Sequence, residues 1–313
     1  MNRATKIVAT LGPASNTPEV LERLLRAGVD VVRLNFSHGK AEEHLALAGL
    51  VREIAAKVGR PVALMADLQG PKIRVGNDGI MVARGDLAVE VGAATVPALQ
   101  KRMIKLAREM DKITITATQM MESMINAPVP TRAEVSDVAN AVLDGTDAVM
   151  CSAETAAGKF PVETVEHMAL IALEAERAED VQLDGDFTNK KFARIDQSIA
   201  MGALFTAHHL GCKAIIALTE SGSTALWMSR HNIHVPIFGL TSKPESESRM
   251  ALYRNVRPLL MKSMTDRDAA LMEAERILVA RGVLMPGDTY AITCGEPMGY
   301  PGGTNMLKVC RVA

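Results

Sequence analysis

The sequence has few aromatic residues, scattered cysteines and no long hydrophobic run. Aromatics make up 3% of its 313 residues, which leaves little for stacking on nucleic-acid bases. The four cysteines form no C-x-x-C pair, so a disulfide framework and structural zinc are both disfavoured. No apolar stretch approaches the ~20 residues of a membrane helix, and residues 1–10 lack a signal-peptide core. We therefore expect a cytoplasmic protein without nucleic-acid or membrane partners.

Charge and motif content narrow the class further. The 35 Lys and Arg residues balance 36 Asp and Glu, and 48% of the residues are hydrophobic, as in ordinary globular proteins of about two domains. Neither G-x-x-x-x-G-K-[ST] nor G-x-G-x-x-G occurs. If phosphates are bound, the site is therefore neither a P-loop nor a Rossmann turn.

Apolar runs alternate with helical segments before residue 180. The predicted strands are 6–10, 29–34, 61–66, 79–83, 112–117 and 146–151. Nearly continuous apolar strands separated by helices indicate a parallel sheet covered on both faces. A polar stretch over 181–191 reads as a linker. It precedes a helix at 192–210, strands at 213–218, 235–240 and 288–293, and further helices at 225–231, 245–253 and 266–281, which predict a smaller open α/β domain.

Polar residues stand at the C-terminal ends of the predicted strands of the first domain, at equivalent positions. They are Arg33, Asn35, Ser37 and His38, then Asp67, Arg84 and Asp86, Thr118, and finally Ser152 and Glu154. In a (β/α)8 barrel such positions face the active site, although each residue taken alone is more often a cap or a solvated loop residue. Arg33 suits a phosphate, and Asp86 beside Gly85 suits a hard cation with a ligand close to the backbone.

The chain between Asp67 and Gly79 is too short for a normal crossover. It has eleven residues, whereas a parallel connection needs about a dozen or more, usually with a helix. One interpretation is a hairpin in which residues 72–75 turn at 77–79 into the strand 80–83. The other is that Gly76 and Asn77 are not neighbours in the natural protein.

Several long motifs resemble the pyruvate kinase family. They are residues 10–15, 33–39, 67–74, 81–87, 117–124, 130–134, 137–144, 152–155 and 302–305. The resemblance covers essentially the whole chain. It implies a TIM barrel with a C-terminal open α/β regulatory domain, and transfer of the phosphoryl group of phosphoenolpyruvate to ADP in glycolysis, giving pyruvate and ATP.

The resemblance also implies the site. Arg33 would contact the transferring phosphate, Gly85, Asp86 and Thr118 would hold phosphoenolpyruvate, and Asp86 would bind Mg²⁺ or Mn²⁺. The nucleotide would be bound by Asn35, Phe36, Ser37, His38 and Arg74. A monovalent-cation pocket, or its replacement, would comprise Asn35, Ser37, Asp67, Leu68 and Lys72. Because Lys72 stands where K⁺-dependent members carry Glu, we expect K⁺ not to be required.

One part of the family pattern is absent. Between Gly76 and Asn77 the family carries a lid domain and the fourth and fifth barrel strands, which bring a phosphate-polarising Lys and a second metal-binding Glu. A six-stranded remnant cannot close a barrel built on eight strands. We expect that the sequence joins pieces of a longer chain, with a true deletion as the alternative. The expected domains are 1–76 and 77–185, which are the two parts of the barrel, and 186–313.

The loop at 219–224 is the last candidate site. Its backbone N–H groups and hydroxyls can form an anion nest or a simple N-cap turn. The resemblance favours a site for the phosphate of an effector, comprising Thr219, Ser221, Gly222, Ser223 and Thr224. It also implies that the protein is a homotetramer. Two alternatives remain: a non-catalytic phosphometabolite-binding remnant, and the aldol or carboxyl chemistry of related phosphoenolpyruvate-binding barrels.

Overall fold

Strands and helices alternate through both parts of the chain. The computed structural model describes residues 3–68, 78–178, 183, 191–262 and 266–313. The chain divides into two units, residues 1–179 and 180–313.

Six strands of the first unit form one parallel sheet. They are β1 (Lys6–Thr10), β2 (Val31–Asn35), β3 (Ala63–Asp67), β4 (Gly79–Ala83), β5 (Ile113–Ala117) and β6 (Ala148–Cys151). Their order across the sheet is β3-β2-β1-β6-β5-β4, and every pairing is parallel. The central strands β1 and β6 are buried along their whole length, as their apolar sequences predict.

The strand order is that of a parallel ring opened between β3 and β4. Chain order runs outward from β1 to β3 on one side, and inward from β4 to β6 on the other, with β1 and β6 paired. Within the described residues, β3 and β4 do not pair with each other. The expected incomplete barrel is therefore confirmed. The hairpin alternative has no support in β4, which pairs in parallel with β5; its other arm, 72–75, lies outside the described residues.

Seven helices are described in the first unit. They are α1 (Pro18–Ala27), α2 (Ala41–Val58), α3 (Arg84–Val91), α4 (Val96–Glu109), α5 (Arg132–Leu143), α6 (Ala153–Ala156) and α7 (Pro161–Arg177), with 3-10 turns at Ala93–Thr95 and Glu122–Ile125. The main core of this unit packs residues of α1, α2, α5 and α7 against β1, β2 and β6. It is filled by aliphatic side chains and methionines, which is consistent with the low aromatic content.

Local sequence signals set the helix ends. The Thr17 hydroxyl accepts a hydrogen bond from the Val20 N–H at the start of α1. Gly28 ends that helix with φ 126° and donates its N–H to the Leu24 carbonyl oxygen. At α5, Thr131 and Glu134 form a reciprocal capping box.

The second unit contains a five-stranded sheet. Its strands are β7 (Ala214–Leu218), β8 (Ile237–Thr241), β9 (Val256–Leu260), β10 (Thr289–Gly295) and β11 (Thr304–Arg311), in the order β11-β10-β7-β8-β9. All pairings are parallel except β10 with β11. The helices described here are α8 (Ile195–His209), α9 (Ser223–Ser229), α10 (Pro244–Met250) and α11 (Arg267–Ala280).

Sequence reasoning missed two strands of this sheet, and both lie at its edges. β9 contains Pro258, which lacks an N–H and is therefore tolerated at an edge rather than inside a sheet. In β11 several side chains are exposed, among them Lys308 and Arg311, so the strand lacks the apolar run by which the other strands were recognised. In the described parts of the chain, no helix has the length and apolarity needed to cross a bilayer.

Candidate active site

The predicted residues Arg33, Gly85, Asp86 and Thr118 lie near or just after the carboxyl ends of strands in the first unit. Because all pairings are parallel, these ends share one edge of the sheet. They form two groups, one on β2 and β3 and the other after β4 and β5. Three strand spacings, or about 14 Å along the sheet, separate β2 from β5.

Arg33 belongs to the first group and is fixed by two neighbours. Its Nε donates to Asp67 Oδ2 over 3.0 Å, with which it also forms an ion pair, and its Nη1 donates to Thr10 Oγ1 over 3.0 Å. The Arg33 side chain is 13% exposed. Three adjacent strands thus aim one guanidinium along the edge, where it can bind a phosphate.

The turn after β2 carries the predicted nucleotide-binding residues. Asn35 Oδ1 accepts from the Ser37 N–H at 3.1 Å. The Phe36 ring stacks on His44 with centroids 4.3 Å apart, and a ring nitrogen of His44 lies 2.7 Å from the His38 carbonyl oxygen. Ser37 and His38 are exposed. Arg74 lies outside the described residues.

Gly85 and Thr118 form the second group, and they bond to each other. The Gly85 N–H donates to Thr118 Oγ1 at 2.8 Å, and this hydroxyl donates to the Ala117 carbonyl oxygen at 2.7 Å. A Cβ placed on Gly85 would lie 3.6 Å from Thr118 Oγ1, which is ordinary contact. Both donors of the pair are therefore used within the protein, and the Gly85 amide and the Thr118 hydroxyl lie side by side.

Asp86 is the predicted metal ligand and lies in the first turn of α3. It is exposed. Among the residues that the structure describes, no three His, Cys, Asp or Glu side chains cluster as a metal-binding group. Mg²⁺ commonly uses one or two carboxylates together with substrate phosphates and water. One exposed carboxylate fits that kind of site rather than a closed protein cage.

The predicted monovalent-cation pocket is only partly visible. Asp67 is engaged by Arg33, and the apolar Leu68 is 74% exposed. Asn35 and Ser37 are bonded to each other as described above. Lys72 lies outside the described residues.

The predicted effector loop joins β7 to α9 in the second unit. Thr219 Oγ1 accepts from the Gly222 N–H at 3.0 Å, and Gly222 is left-handed with φ 83°. The hydroxyls of Ser221 and Ser223 lie 3.2 Å apart. Thr224 is buried, and its hydroxyl hydrogen-bonds to that of Thr304 at 2.7 Å. Ser221 and Ser223 therefore remain the more accessible hydroxyls of this loop.

Sequence reasoning placed Arg84 and Glu154 at strand ends that face the site, but it gave neither them nor Thr10 a specific role. Thr10 orients Arg33, and Arg84, paired with Asp137, contacts the loop after β5. Glu154 is buried and accepts from the Ser152 and Met121 N–H groups at 2.6 and 3.3 Å. Thr10, Arg84 and Glu154 lie at or just after strand ends, so their position was the available signal. Apart from Ser152, which is two positions from Glu154, their partners come from distant parts of the chain.

The Cys151 thiol at the end of β6 is not a nucleophile in this setting. Burial, and then the negative charge of Glu154, raises the pKa of Cys151 well above its ordinary value. The thiol therefore stays protonated, and it contacts the Met168 sulfur at 3.6 Å.

Family comparisons cover both units. The family model described as the barrel domain of pyruvate kinase matches residues 2–78 and 76–165, and the model of its alpha/beta domain matches 197–310. The two barrel segments meet at residues 76–78, the junction at which the sequence lacks a crossover.

Curated relatives give the same result. The chain is 33% identical to pyruvate kinase II of Salmonella typhimurium and 32% identical to pyruvate kinase of Buchnera aphidicola subsp. Baizongia pistaciae, each over 99% of both chains. It is 42% identical to the Haemophilus influenzae pyruvate kinase over 91% of this chain and 60% of that one. The first two alignments extend over 474 positions, whereas this chain has 313 residues. At least 161 of those positions therefore have no counterpart here.

Proposed function

Because the chain belongs to the pyruvate kinase family and is a phosphotransferase of that class, we propose that its own site transfers the phosphoryl group of phosphoenolpyruvate to ADP, giving pyruvate and ATP. The observation that carries this proposal is the alignment of Arg33, Gly85 and Thr118 along one carboxyl edge of a parallel sheet. Ligand sites in such folds lie at that edge.

Each group has a separate task in this proposal. Gly85 and Thr118 hold phosphoenolpyruvate, whose oxygen atoms replace their present acceptors, Thr118 Oγ1 and the Ala117 carbonyl oxygen. Arg33 contacts the phosphoryl group in transfer. Phosphoryl transfer depends mainly on positioning and on neutralising the charge of the transferred oxygens. Arg33 suits that task because Thr10 and Asp67 already hold its guanidinium.

A divalent cation completes the proposed site. Pyruvate kinases generally use Mg²⁺, and Asp86 would hold Mg²⁺ or Mn²⁺ together with substrate oxygens. The bound cation would neutralise charge on the phosphoryl oxygens. The exposed position of Asp86 supports this role because a carboxylate at the edge can reach both a metal and a bound substrate.

The nucleotide is proposed to bind at the turn of Asn35, Phe36, Ser37 and His38, with Arg74. We also propose that K⁺ is not required. The positively charged Arg33 already bonds Asp67, and the side chain of Leu68 has no oxygen atom that could bind a cation. Lys72 would supply the tethered charge. Replacing K⁺ by tetramethylammonium is expected to leave turnover within about twofold, a difference of less than ~0.5 kcal/mol; a large loss would refute K⁺ independence.

Regulation is assigned to the second unit. The proposed effector carries a phosphate that binds at Thr219, Ser221, Gly222, Ser223 and Thr224. The protein itself is proposed to be a cytoplasmic homotetramer. The left-handed Gly222 and the neighbouring hydroxyls support an anion at this turn.

A second candidate function is binding without turnover. The absence of at least 161 alignment positions favours it, because the family's phosphate-polarising Lys and second metal-binding Glu belong to the missing segment. In that case the chain would bind phosphometabolites at the same edge.

One experiment distinguishes these functions. The intact mass is measured first, since 33.6 kDa corresponds to this sequence and a larger mass would mean a longer natural chain. The same sample is then assayed for pyruvate and ATP from phosphoenolpyruvate, ADP and Mg²⁺, and for phosphoenolpyruvate binding by calorimetry. Asp86→Asn is the loss-of-function variant, and Glu90→Gln on the same helix is its control.

The outcomes separate cleanly. Turnover that Asp86→Asn abolishes and Glu90→Gln retains supports the phosphotransferase. Phosphoenolpyruvate binding without pyruvate release supports the second candidate. If the chain shows no binding and no turnover, both functions are contradicted. Turnover that Asp86→Asn leaves unaffected would contradict the assignment of the site.

A further inference from the structure

The loop after β5 is held in an unfavourable backbone conformation. Thr118 and Gln119 are adjacent, neither is glycine, and their φ angles are 66° and 55°. Residues with side chains avoid this region, and β-branched residues such as Thr avoid it most strongly. Such strain persists only where the surroundings impose it, and it often marks a functional site.

Arg84 bonds the carbonyl groups of this strained pair. Its side chain is buried, with the residue 8% exposed. Nη2 donates to the carbonyl oxygens of Thr118 and Gln119, each at 2.8 Å, and Nε donates to the Thr118 carbonyl oxygen at 3.1 Å. Nη1 forms an ion pair with Asp137 on α5. One guanidinium thus bonds both carbonyls of the strained pair and is itself anchored to a neighbouring helix.

The same residue sets both members of the proposed substrate-binding pair. Arg84 directly precedes Gly85 in the chain, so its side chain and its backbone fix the two sides of the contact. With the Thr118 carbonyl held, the Thr118 hydroxyl accepts from the Gly85 N–H at 2.8 Å. Neither group reaches this arrangement through local sequence alone, because 33 positions separate them.

We propose that Arg84 is a positioning residue that holds the Thr118 hydroxyl and the Gly85 amide where they bind the anionic substrate. The inference rests on the proposed function, because the substrate is the phosphoenolpyruvate assigned to this edge. Arg84 itself stays turned away from the substrate, since its donors are used by two carbonyl oxygens and a carboxylate.

The geometry requires arginine rather than a positive charge alone. The planar guanidinium directs several N–H groups at fixed angles, whereas a lysine ammonium is a compact point charge on a flexible stem. Arg84→Lys retains a charge for Asp137 but cannot bond both carbonyls and the carboxylate in the same way. The variant therefore tests the positioning directly.

The test compares Arg84→Lys with Arg60→Lys. Arg60 is a matched control because it also bonds a carbonyl oxygen, that of Leu25, and forms an ion pair with the carboxylate of Asp30. It precedes the amino end of β3, whereas the candidate site lies at the carboxyl ends of the strands. Three quantities are measured: hydrogen exchange at the Gly85 amide without ligand, phosphoenolpyruvate affinity, and ADP affinity. Exchange at Ile115 inside β5 reports whether the sheet is intact.

In Arg84→Lys we expect hydrogen exchange at the Gly85 amide to accelerate at least about tenfold. Phosphoenolpyruvate affinity should fall by about tenfold, which corresponds to the loss of one charge-assisted hydrogen bond to the anionic substrate. Exchange at Ile115 and ADP affinity should stay within about twofold, as should every quantity in Arg60→Lys. Equal losses of both ligands would indicate a merely structural role and overturn the proposal.

Other outcomes are also decisive. Unchanged exchange at Gly85 in Arg84→Lys would overturn the proposal even if the parent chain bound no phosphoenolpyruvate. Accelerated exchange at Gly85 with no substrate binding by the parent would support the clamp and refute only the proposed function. If Arg84→Lys does not fold, Arg84→Gln replaces it, and failure of both to fold would overturn the positioning role.

Discussion

The two groups of the candidate site are held in place by different means. Arg33 on β2 is fixed by side chains, Thr10 and Asp67, that lie at the ends of neighbouring strands. Thr118 after β5 is fixed through its backbone, which Arg84 bonds in a left-handed conformation. The first arrangement stores no backbone strain and depends on one ion pair. The second is strained and depends on buried contacts from two other elements.

This difference predicts how each group fails. Loss of a charge should abolish chemistry in the Arg33 group while the fold survives. Changes in the Thr118 group should instead affect ligand binding and stability to different extents, because binding is assigned to the Gly85 amide and the Thr118 hydroxyl, whereas the strain lies in the backbone of Thr118 and Gln119. Four variants test the comparison, from the largest expected effect to the smallest.

Arg33→Met should have the largest effect on activity. Removing one preorganised cation at a transferring phosphate is expected to lower kcat/KM for pyruvate formation by roughly 100-fold or more. The fold should survive because Asp67 is 38% exposed and its charge stays hydrated. Arg23→Met, whose side chain is 61% exposed, is the control and should match the parent in a coupled assay. Equal activity of Arg33→Met and the parent would place the chemistry elsewhere.

Gly85→Ala should reduce phosphoenolpyruvate affinity without lowering stability. The added Cβ meets Thr118 only at ordinary contact distance, and Ala suits α3 better than Gly does. The methyl group occupies the space at the Gly85 amide, so we expect an affinity loss of about tenfold, or ~1.4 kcal/mol. Calorimetry and thermal unfolding measure the two effects. Gly49→Ala, in open space on α2, should leave affinity unchanged; a stable Gly85→Ala chain with full affinity would argue against a ligand at this backbone.

Glu134 links α5 through Ser123 to the turn that follows the loop of Thr118, and it makes this contact sensitive to acid. Burial raises the pKa of Glu134, but hydrogen bonds from Ser123 and Thr131 outweigh burial and hold the pKa below the ordinary 4.5. Because the pKa is lower in the folded state than in the unfolded state, the ionised carboxylate stabilises the fold above the unfolded pKa. This stability is lost as the pH falls through the folded pKa.

Stability of the parent should therefore fall more steeply below about pH 4.5 than that of Glu134→Gln. At neutral pH the variant should be less stable by roughly 0.5–1 kcal/mol, the contribution of a capping interaction at α5. Urea unfolding from pH 3 to 7 measures both. Glu19→Gln, an exposed acid on α1, is the control. Identical pH dependence of the parent and Glu134→Gln would contradict the assignment.

Gln119→Gly should have the smallest effect. Glycine removes the left-handed penalty of ~1 kcal/mol but loses more chain entropy on folding. We expect a net gain in the free energy of unfolding of about 0.5 kcal/mol, with phosphoenolpyruvate affinity unchanged because the Gln119 side chain is exposed. Chemical denaturation checks this. A loss of stability would mean that the Gln119 conformation carries no strain.

The fold was predictable where burial governs the sequence. Residues 6–10 and 79–83 were recognised as strands with their observed bounds, and the family resemblance predicted an incomplete barrel. The edge strands β9 and β11 were missed because an edge tolerates Pro258 and exposed charged side chains, so their sequences do not carry the apolar pattern of a buried strand.

The site was predictable only as residue types at strand ends. Arg33, Gly85, Asp86 and Thr118 were recognisable from their motifs and from their places at or just after the ends of β-strands. Their partners were not, because Asp67 and Thr10 approach Arg33 from other strands, and the Arg84 side chain bonds carbonyls 34 and 35 positions away. No local pattern encodes such a contact.

The sequence by itself determined the α/β alternation, the family and the absence of a segment between Gly76 and Asn77, since periodicity, motifs and spacing are properties of the chain as written. Tertiary structure alone decided which strands became edges, that Thr118 and Gln119 are held left-handed, and that Arg84 holds them. The physical reason is that local preference opposes this conformation of Thr118 and Gln119, so only contacts made on folding, by residues distant in the chain, can stabilise it.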